Sequence, residues 1–445
     1  MALTSRSSWQ EPDGVEATAR EVGRKGRPLA GPGDLDDLVA SLAEEQYVLL
    51  GEASHGTSQF YSYRAHLTAR LLREADFDFV AVEGDWPACY ALDRFVKGLA
   101  GAPATARGAL AAFDRWPTWM WANWELLELL EWLELHNAEF VDGDDPRDLV
   151  GFYGLDVYGL FESMHEVVEY LEGVDPEYAA HAREAYRCFE AYGGDAQAYA
   201  RSTRLVPESC QDEVVDVLAG VRERLPEHAG ENPEDRFGLE QNALVAQNAE
   251  SYYRALTGPD NSWNVRDEHM ADTLDRLVDY YGGGKAIVWA HNTHVGDARA
   301  TDMPERGRLN LGQLVRERHD SVGVVGFGTH HGHVVAGDEW GARMRRMQVP
   351  DAKAGSYEDA FYRAGDEDRL LFTDEVDAGD ALADPRGHRA IGVVYRPALE
   401  SGNYVPTDLR ERYDAYIHLD QTDALHPLEL HPERERVPDL YPSGL

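Results

Sequence analysis

The chain divides into short, almost wholly apolar runs separated by longer stretches in which apolar residues recur at helical spacing. Four runs, Tyr47-Val48-Leu49-Leu50, Phe79-Val80-Ala81-Val82, Val150-Gly151-Phe152-Tyr153-Gly154-Leu155 and Ala286-Ile287-Val288-Trp289-Ala290, have the length and continuity of strands buried on both faces. Residues 34–44 and 57–74 carry helical periodicity, as does the stretch after Pro87, a proline placed where a helix starts. Residues 104–145 are also mainly helical, and the pattern from Leu160 to Tyr281 is helical throughout, broken at Gly193-Gly194, Pro207, Pro226 and Gly258-Pro259. Apolar runs return at 322–327, 370–372 and 391–395, with a further strand at 416–419. This order predicts an α/β fold with a mainly parallel sheet flanked by helices, and a large all-helical insertion capping the cleft at the strand ends. The expected organisation is a leader over 1–33, rich in Arg, Gly and Pro and compatible with disorder, then a first core part over 34–160. A helical insertion over 161–282, a second core part over 283–430 and a tail over 431–445 complete it.

Each of the four strands closes on an ionisable residue: Glu52, Glu83, Asp156 and His291. Ligands of parallel α/β sheets bind beyond the carboxyl ends of the strands, so these side chains are expected to converge there.

Charge narrows the classes of function. The sequence has 445 residues with 81 Asp+Glu against 42 Lys+Arg, a formal net charge of −39. Such a surface repels nucleic-acid phosphates and anionic headgroups, which argues against both as partners. With 43% hydrophobic and 10% aromatic residues the chain can still bury a large core, so the acidity does not signal disorder. Lysine is confined to positions 25, 97, 285 and 353. Acid enrichment with so little lysine fits work in concentrated salt, where screening shrinks to about 3 Å at 1 M. An ordinary acidic cytosolic enzyme is the alternative. Cys89, Cys188 and Cys210 form no ligand-like spacing and support neither a disulfide framework nor a zinc ribbon, and a reducing cytoplasm is the simplest home. No apolar signal segment and no stretch of membrane-spanning length is present.

Three constellations carry candidate chemistry. Gly51-Glu52-Ala53-Ser54-His55-Gly56 places a carboxylate and an imidazole three residues apart between a strand and a helix, where a histidine can act as a base oriented by the acid. Helix capping by Glu52 and His55 is the plainer reading. Ser54 lies in no G-x-S-x-G elbow, which disfavours a serine nucleophile. His291-Asn292-Thr293-His294 follows a strand directly; H-x-x-H can bind metal, but no H-E-x-x-H helix accompanies it and proton transfer is the favoured role. The run His330-His331-Gly332-His333 reads as a polar strand end rather than a ligand set. In Ser262-Trp263-Asn264-Val265-Arg266-Asp267, Ser262 or Asn264 suits an N-cap. Arg266 in the first turn opposes the helix dipole, so a partner is expected: a substrate carboxylate or oxyanion, or an Asp of the chain. Arg64 on the helix after His55 poses the same choice. Trp116, Trp119, Trp121, Trp124 and Trp132 make either core or an aromatic wall.

Together these fragments resemble the erythromycin esterase family. The pieces occur in order: GEASHGTSQFYSYR at 51–64, VEGDWP at 82–87, RWPTWMW at 115–121, GFYGLDVY at 151–158, SWNVRDEHMADTL at 262–274 and AHNTHV at 290–295. NLGQLVRERH at 310–319 and YRPALESGNY at 395–404 extend the resemblance, which spans roughly residues 35–430 and, with the acidic balance, suggests a haloarchaeal member. It implies hydrolysis of an ester or macrolactone by activated water, without metal or other cofactor, on a small-molecule substrate. It further implies a catalytic set of His55, Glu52, Glu83, His291 and Arg266, with His55 as general base, and a substrate-binding set of Arg64, His294, Asp156 and Trp86. A metal-dependent hydrolase, a biosynthetic transferase using the same cleft and a non-catalytic binder of apolar ligands are the alternatives.

Overall fold

The computed structural model describes residues 14–140, 145–194, 196–203, 209–225, 232–257, 261–376, 382 and 385–429. Its strands are β1 (Arg27–Pro28), β2 (Tyr47–Leu50), β3 (Phe79–Asp85), β4 (Gly151–Asp156), β5 (Ala286–Trp289), β6 (Val322–Ala336), β7 (Arg345–Val349), β8 (Arg369–Phe372), β9 (Arg386–Arg389), β10 (Tyr404–Thr407) and β11 (Ala415–Thr422). The four apolar runs are therefore β2 to β5, and every residue of β2, β4 and β5 is buried, as continuous Val/Leu/Ile strands require. The chain folds as two compact units, Met1–Leu71 with Trp289–His426, and Leu72–Val288 with Pro427–Leu445.

In the first unit the strand order is β1-β8-β11-β6-β2, with β7 on the far half of β6. β6 runs parallel to β2, Leu50 opposite Val325, and parallel to β11, Phe327 opposite Ile417. β8 and β1 continue this sheet in antiparallel sense, and β9 with β10 forms a separate antiparallel pair. The helix Ser58–Glu74 follows β2 and starts in this unit.

Three expectations are corrected here. Part of the supposed leader is ordered: Val15–Lys25 is a helix whose Val15, Thr18, Ala19 and Val22 are buried, and it packs against the helix Tyr357–Ala364. Its stripe is made of small residues embedded among charges, too weak a signal beside the neighbouring Gly and Pro. Residues 1–13 and the expected tail over 431–445 lie outside the described residues. The run at 391–395 is not a strand; Ile391 and Val394 make isolated bridges, and the strand is the preceding Arg386–Arg389, whose buried arginines disguised it as a surface loop. β6 continues to Ala336, well past the apolar part of its sequence.

In the second unit the order is β5-β3-β4, and β3 and β4 are parallel with Phe79 opposite Gly151. The register shifts between Val82 and Asp85, at the end that carries Glu83. After Asp156 come the helices Leu160–Val174, Pro176–Tyr186, Ala196–Thr203, Gln211–Arg224, Pro233–Ala255 and Ser262–Tyr280, with no strand among the described residues between them. They surround their own core, which includes Val167, Leu171, Phe189, Val217 and Tyr253. Within it Cys188 and Cys210 are joined as a disulfide, with Cα atoms 6.0 Å apart; their spacing of 22 residues had given no hint of pairing. Cys89 is a buried free thiol. The tryptophan-rich segment is mostly core: Trp116, Trp119 and Trp121 are buried and Trp124 is exposed. No described helix is long and apolar enough to cross a membrane.

A fully buried ion cluster fastens this unit. Lys97 donates to Tyr153 Oη at 2.6 Å and to Glu234 Oε2 at 2.6 Å, and lies 3.2 Å from Asp93 Oδ1. Tyr153 and Tyr280 also donate to Glu234, so β4, the helix Trp86–Val96 and the insertion share one set of hydrogen bonds. Burial, with Glu234 beside it, pushes the Asp93 carboxyl up to about 8. Removing the cation takes away the partner that Asp93 and Glu234 share in the interior. Lys97→Met should lower unfolding stability by about 3–5 kcal/mol, read as a lower denaturation midpoint in molar KCl. An unchanged midpoint would show that the cluster does not hold the unit together.

Candidate active site

The first unit builds a carboxylate–imidazole pair at the end of β2. A Cβ at Gly51 would overlap the side-chain oxygen of Asn292, and one at Gly56 would overlap the carbonyl oxygen of Val335, so glycine at both positions lets the loop pass close to its neighbours. Between them, Glu52 is 0% exposed and His55 7%. His55 Nδ1 lies 2.8 Å from Glu52 Oε1, and Arg64 Nη2 donates to Glu52 Oε2 at 2.6 Å. A buried carboxylate needs such partners, because an isolated charge in this environment would be neutralised instead. The Arg64 guanidinium also lies 4.6 Å from the ring centroids of both Tyr61 and Trp289. Arg64 is itself 0% exposed. It therefore holds Glu52 in place and presents no surface to a substrate, contrary to its expected binding role.

Because ionised Glu52 only accepts, His55 places its proton on Nδ1 and keeps the lone pair on Nε2, the form a general base needs. The ring of His291 lies 5.0 Å from that of His55, centroid to centroid. His291 caps the short helix Asn292–Val295, its Nδ1 accepting from the Thr293 backbone N–H at 3.2 Å. The same Nδ1 lies 2.8 Å from Thr293 Oγ1; with Nδ1 accepting from both groups, a neutral ring would carry its proton on Nε2. His294, on the same helix, is buried. Ser54 is buried and shares a hydrogen bond with Thr57 Oγ1, which gives it a structural partner.

Asn292 escaped the sequence reading, although it stands between the two histidines. Its N–H donates to the Glu52 carbonyl at 2.9 Å, its Nδ2 donates to Phe327 O at 2.6 Å, and its own carbonyl accepts from Arg412 Nη2 at 2.9 Å. Behind it, His388 Nε2 lies 3.2 Å from Asn292 Nδ2, and His388 Nδ1 lies 2.7 Å from Glu358 Oε1. Burial lowers the pKa of His388, keeping it neutral and able to accept from the amide. Asn292 thus joins the end of β2 to β6 and to the His291 turn. The only sequence signal was an amide directly after a buried strand; His388, inside Arg386-Gly387-His388-Arg389, looked like surface.

The second unit gathers the other expected residues into a separate ion cluster. Arg266, on the helix Ser262–Tyr280, donates from Nε to Asp156 Oδ1 at 2.9 Å, from Nη2 to Asp156 Oδ2 at 2.6 Å and from Nη2 to Glu83 Oε1 at 2.7 Å. All three residues are buried. Of the partners considered for Arg266, the structure supplies carboxylates of the chain itself, in bidentate geometry on Asp156. The N-cap of this helix is Asn261, whose side chain accepts from the Trp263 N–H, rather than Ser262 or Asn264. Trp86 is 0% exposed and stacks on Tyr90 and Tyr153 with centroids 5.8 and 5.7 Å away. It is core packing, with no surface left for a ligand.

The mainly parallel sheet of the first unit thus carries an acid-paired histidine at the end of β2. The chain belongs to the erythromycin esterase family, whose model matches residues 72–422. That stretch includes Glu83, Asp156, Arg266, His291 and His294, whereas Glu52, His55 and Arg64 precede it. Solved structures share the fold. A protein from Bacillus cereus superposes with TM-score 0.77 at 18% identity, covering 93% of this chain and 99% of that one. A succinoglycan biosynthesis protein does so with TM-score 0.75 at 20% identity, covering 92% and 97%. A mutant of the erythromycin esterase EreC in its open conformation gives TM-score 0.65 at 19% identity, covering 92% and 99%.

Arg266→Met would leave Glu83 and Asp156 buried without their cation. The expected cost is about 3–5 kcal/mol of unfolding stability in denaturant titration. A midpoint equal to that of the unmodified protein would mean that the two acids do not depend on this guanidinium.

Proposed function

We propose that this protein is a carboxylic ester hydrolase that cleaves an ester or macrolactone with water activated by His55. The observation that carries the reading is the buried contact of His55 Nδ1 with Glu52 Oε1 at 2.8 Å, with Arg64 on the other carboxylate oxygen. His55 Nε2 takes a proton from a water molecule as the water oxygen attacks the ester carbonyl. Glu52 stabilises the imidazolium that forms. The Nε2–H of His291 donates to the oxyanion. When the tetrahedral intermediate collapses, the alcohol oxygen leaves with the proton held by His55, so one water is consumed and no covalent enzyme intermediate is needed. Glu52 is engaged by His55 and Arg64, and Nδ1 of His291 by Thr293, which favours proton transfer over metal ligation by this set. Within the second unit, Arg266 with Glu83 and Asp156 acts as a supporting ion cluster. The family match makes a macrolide the first substrate to try, and other lactones and simple esters of bulky alcohols are the natural extension.

The test is incubation of the pure protein in molar KCl with macrolides and simple esters, followed by mass spectrometry for the gain of one water. His55→Ala should lower the rate by about 10²- to 10⁴-fold with unchanged circular dichroism. Full activity in that variant would remove His55 from the mechanism. Stoichiometric ligand binding without turnover, unaffected by the substitution, would favour a binding protein.

A further inference from the structure

A second group of potential ligands lies in the first unit and uses none of the residues assigned above. β6 and β11 run parallel, with Thr329 opposite Leu419 and His331 opposite Gln421, which sets His330 beside Asp420 on the neighbouring strand. Consecutive residues of a regular strand point to opposite faces. His330 and His331 do not: their Nδ1 atoms are 3.0 Å apart. Gly332 follows directly, with a φ of +146° that suits glycine and a position where a Cβ would meet the carbonyl of Thr422. One ligand atom from each of His330, His331 and Asp420 lies within 4.8 Å of the other two.

Two further observations point to a cation. Asp420 Oδ1 is buried with no hydrogen-bond partner, a costly arrangement for a carboxylate oxygen. The His330 ring is fixed in direction, stacked on Tyr362 at 3.9 Å between centroids with planes 10° apart. The backbone beneath is equally constrained: Arg389, paired with Glu400 at 2.7 Å, donates to the carbonyls of Thr329 and His330 at 2.7 and 2.8 Å. The Asp420 N–H donates to Asp368 Oδ1 at 2.8 Å. Two nitrogens each about 2.1 Å from one metal ion stand about 3.4 Å apart at the tetrahedral angle and about 3.0 Å apart at right angles, so the observed separation is in the range of two ligands of one ion.

We propose that His330, His331 and Asp420 form a binding site for a borderline divalent cation of the zinc or cobalt class, which pins β6 to β11. Imidazole nitrogens suit such metals, and three protein ligands leave the ion's remaining positions to water. The role is structural and independent of the Glu52–His55 pair. A hydrogen bond between the two imidazoles is the competing account of their contact.

The test uses the full chain, stripped with EDTA and held in molar KCl so that diffuse attraction of cations to the acidic surface is screened. Titration with Co²⁺, followed by visible absorption and equilibrium dialysis, should show one equivalent bound by the unmodified protein. His331→Ala and Asp420→Asn should each weaken binding by more than about tenfold. Asp420→Asn keeps the side-chain shape and removes a buried charge, so its folding, checked by circular dichroism, is expected to survive even if His331→Ala misfolds. The proposal is overturned if the folded Asp420→Asn protein binds Co²⁺ as the unmodified protein does, or if the unmodified protein binds none.

Discussion

A single buried carboxylate sets the geometry of the first unit's site. Glu52 is closed off from solvent at the end of β2, where His55 and Arg64 each take one of its oxygens, the partners a buried carboxylate requires. That requirement fixes much around it. Arg64 must reach in from the following helix, and its guanidinium in turn lies 4.6 Å from the ring centroids of Tyr61 and Trp289, which meet edge to face. The imidazole of His55 is held in one tautomer, with its basic nitrogen turned away from the acid. The functional form of the histidine follows from the cost of burying a charge.

The scaffold serves the same end. Asn292 joins the carbonyl of Glu52, the carbonyl of Phe327 in β6 and the turn that carries His291, so the two histidines are referred to one rigid frame. The frame is tight enough to exclude even a Cβ at Gly51 and Gly56. Behind it, His388 braces the Asn292 amide from a strand pair that is not part of the main sheet, and Glu358, on the helix Tyr357–Ala364, holds His388 in turn. In the second unit the same logic appears twice, with Lys97 between Asp93 and Glu234 and Arg266 between Asp156 and Glu83. In a chain with 81 acids and 42 basic residues, each interior cation is shared by at least two partners in these clusters.

How much of this was legible follows from the physics of each signal. The strands β2, β4 and β5 were readable to within a residue or so because burial on both faces leaves an unbroken apolar run, while β3 runs three residues past its apolar run to Asp85, and the residues that close these runs, Glu52, Glu83, Asp156 and His291, were readable for the same reason. Partners such as Arg64 and Arg266 could be nominated, but sequence does not tell a cation that meets a substrate from one that meets its own chain, and the geometry decides for the chain in both cases. Trp86 was nominated through the family resemblance, which carries a motif's position but not the burial of its side chain. β9, the outer half of β6 and the Asn292–His388–Glu358 brace were missed because buried Arg, His and Gly look like surface until their partners are known. The disulfide between Cys188 and Cys210 could not be inferred from three scattered cysteines.

Each of the interior acid clusters is built around a cation of the chain itself. The central claim is therefore local: Glu52 and His55 act as one unit. The most direct test is a double-substitution cycle on ester hydrolysis with Glu52→Gln, His55→Ala and both together, all shown to be folded in molar KCl. If the carboxylate works only through the imidazole, the double variant will be no slower than His55→Ala alone. Losses that multiply would mean that the two residues act independently and would contradict the account.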